Sequence, residues 1–153
     1  SIAGIPQYET VYSPGIVSKQ CGELNCTANY ALQIGNTGWN HQREVIVRLA
    51  PGIFEHSTSP LSLSLYGQAK EPYDIIENRQ STDVIFGPLN PTKWVSLNFS
   101  VSYRRENEII PLEDLLIDIQ TEHGSVEKGS LGVTRYLRGL RRFFDAVIHR
   151  KSL

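Results

Sequence analysis

The 153-residue sequence contains no methionine and only two cysteines. Without methionine, Ser1 is not expected to be a translation start, so we expect a processed product or an excised fragment. No apolar run approaches the roughly 18 residues that would span a bilayer as a helix. A signal peptide or an anchor removed at either end would leave no trace in these residues.

Common catalytic motifs are also missing. The sequence has no Gly-x-Ser-x-Gly elbow, His-Glu-x-x-His helix, phosphate loop or dinucleotide fingerprint. A zinc site needs four ligands, and the four histidines are scattered at positions 41, 56, 123 and 149. We therefore expect no catalytic residue, no metal site and no cofactor.

Charge is distributed unevenly along the chain. Residues 1–131 carry nine Lys/Arg against fifteen Asp/Glu, whereas residues 132–153 carry six basic residues against Asp145 alone. An acidic body argues against nucleic-acid binding, which depends on basic residues that contact phosphates. The sequence therefore predicts no nucleic-acid partner.

Apolar and polar residues alternate along most of the chain, which is typical of half-buried strands. This alternation predicts seven or eight short strands, at Tyr8–Tyr12, Thr27–Gly35, Glu44–Leu49, Leu61–Tyr66, Asp83–Phe86, Trp94–Tyr103 and Leu115–Gln120. Residues 67–81 are polar and predict a loop or a weak edge segment. The turn Asn36–Gly38 is expected to use positive φ angles, which Asn and Gly adopt cheaply. Because no helical pattern separates the strands, we expect antiparallel sheets packed face to face over residues 1–131.

The last segment, residues 132–153, changes to helical periodicity. Its apolar residues recur at spacings of three and four, which predicts one stripe of an amphipathic α-helix. Arginines occupy the other faces of this helix. The residues expected to form an interaction surface are Arg135, Tyr136, Arg138, Leu140, Arg141, Arg142, Phe143, Phe144 and Val147.

Two stretches resemble a known class of domain. Tyr30–Gly38 is similar to the strand and Asn-x-Gly turn of bacterial immunoglobulin-like cell-surface and adhesion modules. Ile85–Pro91, leading into Trp94–Phe99, is similar to their Leu-x-Pro segment and long alternating strand. The resemblance covers residues 27–120. It implies an immunoglobulin-like β-sandwich that acts as a binding module or as a spacer. The Cys–Trp–Cys pattern of antibody domains is missing.

Cys21 and Cys26 are the sharpest local feature of the sequence. A disulfide across Cys-Gly-Glu-Leu-Asn-Cys would close a small loop, and it would indicate an oxidising compartment. The alternatives are two free buried thiols or half of a metal site. With the disulfide, we expect a periplasmic or extracellular location, either free or with membrane anchoring through segments outside this chain.

Three functions follow from these features. The leading expectation is a non-enzymatic extracytoplasmic immunoglobulin-like interaction or structural module, part of a membrane-anchored or secreted protein. Its helix would contact a protein partner, a second copy in a homodimer, its own sandwich or a nearby membrane surface. One alternative is a carbohydrate-binding module that uses Trp39 and Trp94 as an exposed aromatic surface. The other is a cryptic hydrolase, with acids such as Asp74, Glu77 or Asp118 in a cleft.

Overall fold

The computed structural model describes residues 6–14, 18–56, 62–66, 73–106 and 115–129. These residues form a mainly β protein with two sheets and a short 3-10 helix, Ile53–His56. The amphipathic helix predicted for residues 132–153 lies outside the described residues.

Ten strands are described. They are β1 (Glu9–Pro14), β2 (Ser18–Cys21), β3 (Asn25–Asn36), β4 (Val45–Leu49), β5 (Ser62–Tyr66), β6 (Asp74–Glu77), β7 (Thr82–Phe86), β8 (Trp94–Arg104), β9 (Leu116–Thr121) and β10 (Ser125–Lys128). The strands predicted from alternation all find a counterpart among them.

The first sheet has the order β10–β1–β3–β8–β5, with β2 also paired to β3. Strands β3 and β8 form its centre, paired antiparallel from Asn25 opposite Arg104 to Gly35 opposite Trp94. Strand β10 runs parallel to β1, whereas the other pairs are antiparallel. The sheet is therefore built around the two longest alternating segments of the sequence.

The second sheet has the order β6–β7–β4–β9, and all of its pairs are antiparallel. In β4, Val45, Val47 and Leu49 are fully buried, while Ile46 and Arg48 are half-buried on the other face. This is the alternation expected of a sheet with one face on a core and one face towards water.

Both sheets contribute to one hydrophobic core, since apolar side chains from each belong to the same buried cluster. The first sheet provides Ala28, Tyr30, Leu32, Ile34, Val95, Leu97, Phe99 and Val101, and the second provides Val45, Val47, Leu49, Val84, Phe86 and Ile119. The 3-10 helix adds Phe54, whose ring meets that of Phe99 edge-on with centroids 5.4 Å apart. The opposite faces of both sheets point away from this core.

Three strands were not predicted as such. Strands β2 and β10 read Ser-Lys-Gln-Cys and Ser-Val-Glu-Lys, which show no clear apolar alternation. Strand β6 lies within the segment predicted as a loop or a weak edge, and among the described strands it is at the edge of its sheet. Neighbouring strands rather than local pattern determine these pairings.

The Asn36–Gly38 turn forms, but the expected reason was wrong. Among the described residues, positive φ angles occur at Gly52, Thr92 and Gly124, and not in this turn. The Asn36 amide instead donates to the carbonyls of Asn40 and Leu89, both at 2.9 Å. Gly38 is needed because a Cβ there would lie 2.7 Å from two backbone atoms around the start of β1, Gln7 O and Glu9 N.

Candidate functional site

The outer face of the second sheet presents two rows of side chains across its four strands. The strand registers align Ile76, Asp83, Arg48 and Asp118 in the first row, and Asp74, Ile85, Ile46 and Gln120 in the second. We call this surface, together with Ile117, the outer face. It combines charged groups with isoleucines, whereas the outer side of the first sheet at β8 carries serines and Asn98.

Arg48 lies between two aspartates at the centre of the outer face. Its Nε is 3.8 Å from Asp83 Oδ2, and one terminal guanidinium nitrogen is 3.8 Å from Asp118 Oδ2. The Asp83 side chain is only 14% exposed, compared with 45% for Asp118. The Ser81 hydroxyl also donates a 2.7 Å hydrogen bond to Asp83 Oδ1. Asp83 is thus held in place from two sides, and Asp118 is the more accessible partner.

The turn between β6 and β7 borders this cluster. Asn78 N donates to Ser81 O at 3.0 Å. Asn78 Oδ1 accepts hydrogen bonds from the backbone N–H groups of Gln80 and Ser81 at 2.9 and 2.8 Å. These bonds fix the conformation of the turn. The space between the turn and β9 is an open cleft of about 510 Å³. Its lining residues are Arg48, Asn78, Arg79, Gln80, Ser81, Asp83, Ile117 and Asp118.

Exposed isoleucines surround the cleft and the neighbouring edge. Ile117 is 51% exposed because an extra residue in β9 interrupts its register with β4 between Arg48 and Leu49. Ile75 and Ile76 of β6 are 41% and 50% exposed. Scattered exposed apolar residues are ordinary on protein surfaces, but a group beside a fixed polar cluster is typical of a binding surface.

A second open cleft, of about 490 Å³, lies at the other end of the outer face. Its lining residues are Arg43, Glu44, Ile46, Gln120, Thr121 and Glu122. Arg43 Nε donates to Glu122 Oε1 at 3.1 Å, and His123 Nε2 lies 3.2 Å from the same oxygen. Arg43 and His123 are half or more exposed, so the pairs add little to stability.

The predicted Cys21–Cys26 disulfide is confirmed. The two residues are cross-strand neighbours in the β2–β3 hairpin, with Cα atoms 4.0 Å apart. Gly22 N donates to Asn25 O at 2.8 Å inside the loop that the bond closes. The alternatives of two free thiols and of half a metal site are therefore wrong. Such bonds persist in oxidising compartments.

The two tryptophans predicted as an aromatic surface are both half-buried. The backbone N–H of Trp39 donates to the Gln7 carbonyl at 2.9 Å. Trp94 opens β8 directly opposite Gly35. Neither is a fully exposed platform, and their role in ligand binding stays a prediction.

The residues predicted to form the interaction helix lie outside the described residues. They are Arg135, Tyr136, Arg138, Leu140, Arg141, Arg142, Phe143, Phe144 and Val147. In the part of the chain that the structure does describe, no helix is long and apolar enough to cross a membrane.

Sequence reasoning missed the row of Asp83, Arg48 and Asp118. Its signal was partly present, because the alternation placed Arg48 and Asp118 on the polar side of their strands. The missing information was the register, since residues from positions 48, 83 and 118 meet only when three strands pair correctly.

Comparisons with known proteins leave the family open. No protein-family model matches the chain, and no curated protein matches it. A solved structure of a two-domain M1 zinc metallopeptidase variant bound to L-tryptophan aligns with 65% of this chain at 15% identity and a TM-score of 0.31. The chain spans 20% of that protein's length. A likeness at this level carries no argument about fold or activity.

Proposed function

We propose that this chain is a non-enzymatic, extracytoplasmic immunoglobulin-like module that binds a protein partner through the outer face. The observation that carries the proposal is the outer face itself, where isoleucines surround the fixed cluster of Arg48, Asp83 and Asp118. Protein interfaces combine apolar contact area with a few well-placed charged groups, and arginine is enriched in them.

The strand order supports the immunoglobulin-like part of the proposal. In the first sheet, β1–β3–β8–β5 is the order A–B–E–D of immunoglobulin domains, and β4 beside β9 corresponds to C beside F. Two features depart from that plan. Strand β10 pairs with β1 instead of β9, and the β6–β7 hairpin is added beside β4.

The Cys21–Cys26 disulfide supports an extracytoplasmic location, because cytosolic reductants keep most thiols reduced. We propose the periplasm or the extracellular space, with the module belonging to a secreted or membrane-anchored protein. In this proposal, segment 132–153 is a second contact element, towards a partner, another copy or a membrane surface.

The geometry of the cleft weighs against the hydrolase alternative. Glycoside hydrolysis needs two carboxyl groups facing each other across the space that holds the scissile bond. Here the Arg48 guanidinium fills the space between Asp83 and Asp118, at 3.8 Å from a carboxylate oxygen of each. The pair is better suited to orient an arginine on a binding surface.

Position-resolved photo-crosslinking of the whole protein on its producing cells tests the proposal. A photoreactive phenylalanine would replace Ile117 or Gln120 on the outer face, or Thr27 on the outer side of the first sheet as the control. These three residues are exposed, so we expect the fold to accept the probe at each position. We expect discrete crosslinked species from positions 117 and 120 only. Crosslinking from neither outer-face position, or equally from position 27, would overturn the proposal.

A further inference from the structure

Strand β6 ends the second sheet, and no strand in the described ranges pairs with its outer side. All four of its residues, Asp74, Ile75, Ile76 and Glu77, are exposed. Unpaired strand edges present backbone donors and acceptors to any extended chain, so natural proteins cover or charge them.

The turn hydrogen bond determines which backbone groups point outwards. Asn78 N donates to Ser81 O, which makes these residues a hydrogen-bonded pair. Hydrogen-bonded and non-hydrogen-bonded pairs alternate along an antiparallel ladder, so Ile76 directs its N–H and C=O towards β7. Ile75 and Glu77 therefore direct theirs to the open edge.

Side chains at this edge select the type of chain that could pair. Ile75 is opposite the buried Val84, so it faces the core side of the sheet, whereas Ile76 is opposite Asp83 on the outer face. A strand that pairs with β6 would therefore lie beside one isoleucine on each face of the sheet. It would also lie beside a carboxylate at each end of β6.

Charge argues against a second copy of β6 as the occupant. β6 contains no basic residue, so antiparallel pairing of two β6 strands through the outward backbone groups of Ile75 and Glu77 would bring two acidic edges together, with no opposite charge across from Asp74 or Glu77. A strand with a basic residue at both ends would instead form two favourable cross-strand pairs.

We propose that the open edge of β6 binds, by strand addition, an extended segment of a partner protein with the pattern basic–apolar–apolar–basic. Strand addition draws affinity from main-chain hydrogen bonds and specificity from side chains on alternate faces. This inference rests on the proposed function. It specifies the residue pattern of the partner segment that pairs with β6, at the edge of the outer face.

Direct binding to the full 153-residue chain tests this inference. Fluorescence anisotropy would compare labelled peptides with the central sequences Lys-Val-Val-Lys, Val-Lys-Lys-Val and Glu-Val-Val-Glu. We expect the first to bind at least roughly tenfold more tightly than the second, because only the first places opposite charges across from Asp74 and Glu77. The acidic peptide should show no saturable binding.

Two sets of variants separate strand addition from general attraction to an acidic protein. The double variant Asp74→Lys, Glu77→Lys should reverse the preference towards the acidic peptide. The control Glu23→Lys, Glu127→Lys changes net charge equally at exposed positions away from β6 and should leave the preference intact. Reversal in both double variants would overturn the inference.

A matched pair of variants tests the contribution of backbone hydrogen bonds to peptide binding. Ile75→Pro removes an outward N–H, whereas Ile75→Thr keeps it, and neither should disturb pairing with β7. We expect roughly tenfold weaker peptide binding for the proline variant relative to the threonine variant, with equal thermal unfolding. Equal binding by the two variants would overturn strand addition. If these tests fail while positions 117 and 120 still crosslink, the edge inference is wrong and the proposed function stands.

Discussion

Alkaline pH should destabilise this protein through one buried phenol, that of Tyr30. The residue is 4% exposed in β3, and its ring centroid lies 5.1 Å from that of Phe99. Desolvation in the core, with a smaller contribution from Tyr12, raises the pKa of Tyr30 from 10.0 to about 12. Burial disfavours the charged phenolate, so the folded state retains its proton over a range where the unfolded state loses it.

The sign of the effect follows from linkage. Above pH 10 the unfolded chain binds fewer protons at this site than the folded chain, so the free energy of unfolding falls as pH rises. The loss begins near the unfolded pKa and is complete above the folded pKa. Two pKa units correspond to about 2.7 kcal/mol in total, of which about 1.4 kcal/mol is lost by pH 11.

Urea denaturation of the native chain and the Tyr30→Phe variant at pH 8, 9, 10 and 11 would measure this loss. Other groups titrate in both proteins, so the difference between the two curves isolates Tyr30. The sequence has only two cysteines, and both are in the disulfide, so alkaline thiol exchange lacks a free thiol to start it. Between pH 8 and 11, the difference in free energy of unfolding between the two proteins should shift by about 1.4 kcal/mol in favour of the variant. Parallel curves would refute the reasoning.

Other predictions concern the turn, the disulfide, the outer face and the terminal segment. Gly38→Ala should lower the free energy of unfolding by about 1–3 kcal/mol or prevent folding, because the added Cβ meets backbone; urea titration checks this. Replacing Cys21 and Cys26 by serine should cost about 2 kcal/mol, the loop-closure entropy of a six-residue loop, and unchanged urea midpoints would contradict it. Arg48→Ala should cost about 1 kcal/mol, since it leaves two carboxylates facing each other; no loss in 20 mM salt would contradict the ion pairs. If segment 132–153 forms a dimer seam, light scattering should give twice the monomer mass for the full chain and one monomer mass for residues 1–131.

Local pattern was enough to predict the central strands. In β3 the residues Tyr30, Leu32 and Ile34 alternate with polar or small neighbours, and the same rule applies to β8. Because each strand buries one face on a shared core, a two-residue alternation of apolar and polar side chains is enough to predict the strand and its buried face. The chain contains only two cysteines, so only one disulfide pairing within the chain was possible.

Non-local information decided the rest. Strand β10 has a weak pattern, and it forms because β1 offers a parallel edge for it. Asn36 was assigned to a turn because of its turn propensity. Its side-chain amide in fact joins the loop that contains Asn40 to the loop that contains Leu89, which is distant in sequence. The alternation likewise showed which side of a strand Arg48 occupies, but not that Asp83 and Asp118 lie on either side of it. Register is a property of paired strands, so a single strand's sequence does not reveal it.

The redox state of Cys21 and Cys26 in producing cells is the most direct test of the proposed location outside the cytoplasm. Cells would be quenched in acid, their thiols alkylated, and the whole protein weighed by mass spectrometry before and after reduction. With the disulfide formed, we expect no alkyl group without reduction and two alkyl groups after it, one on each cysteine. Two alkyl groups without prior reduction would show free thiols and would contradict the proposed location.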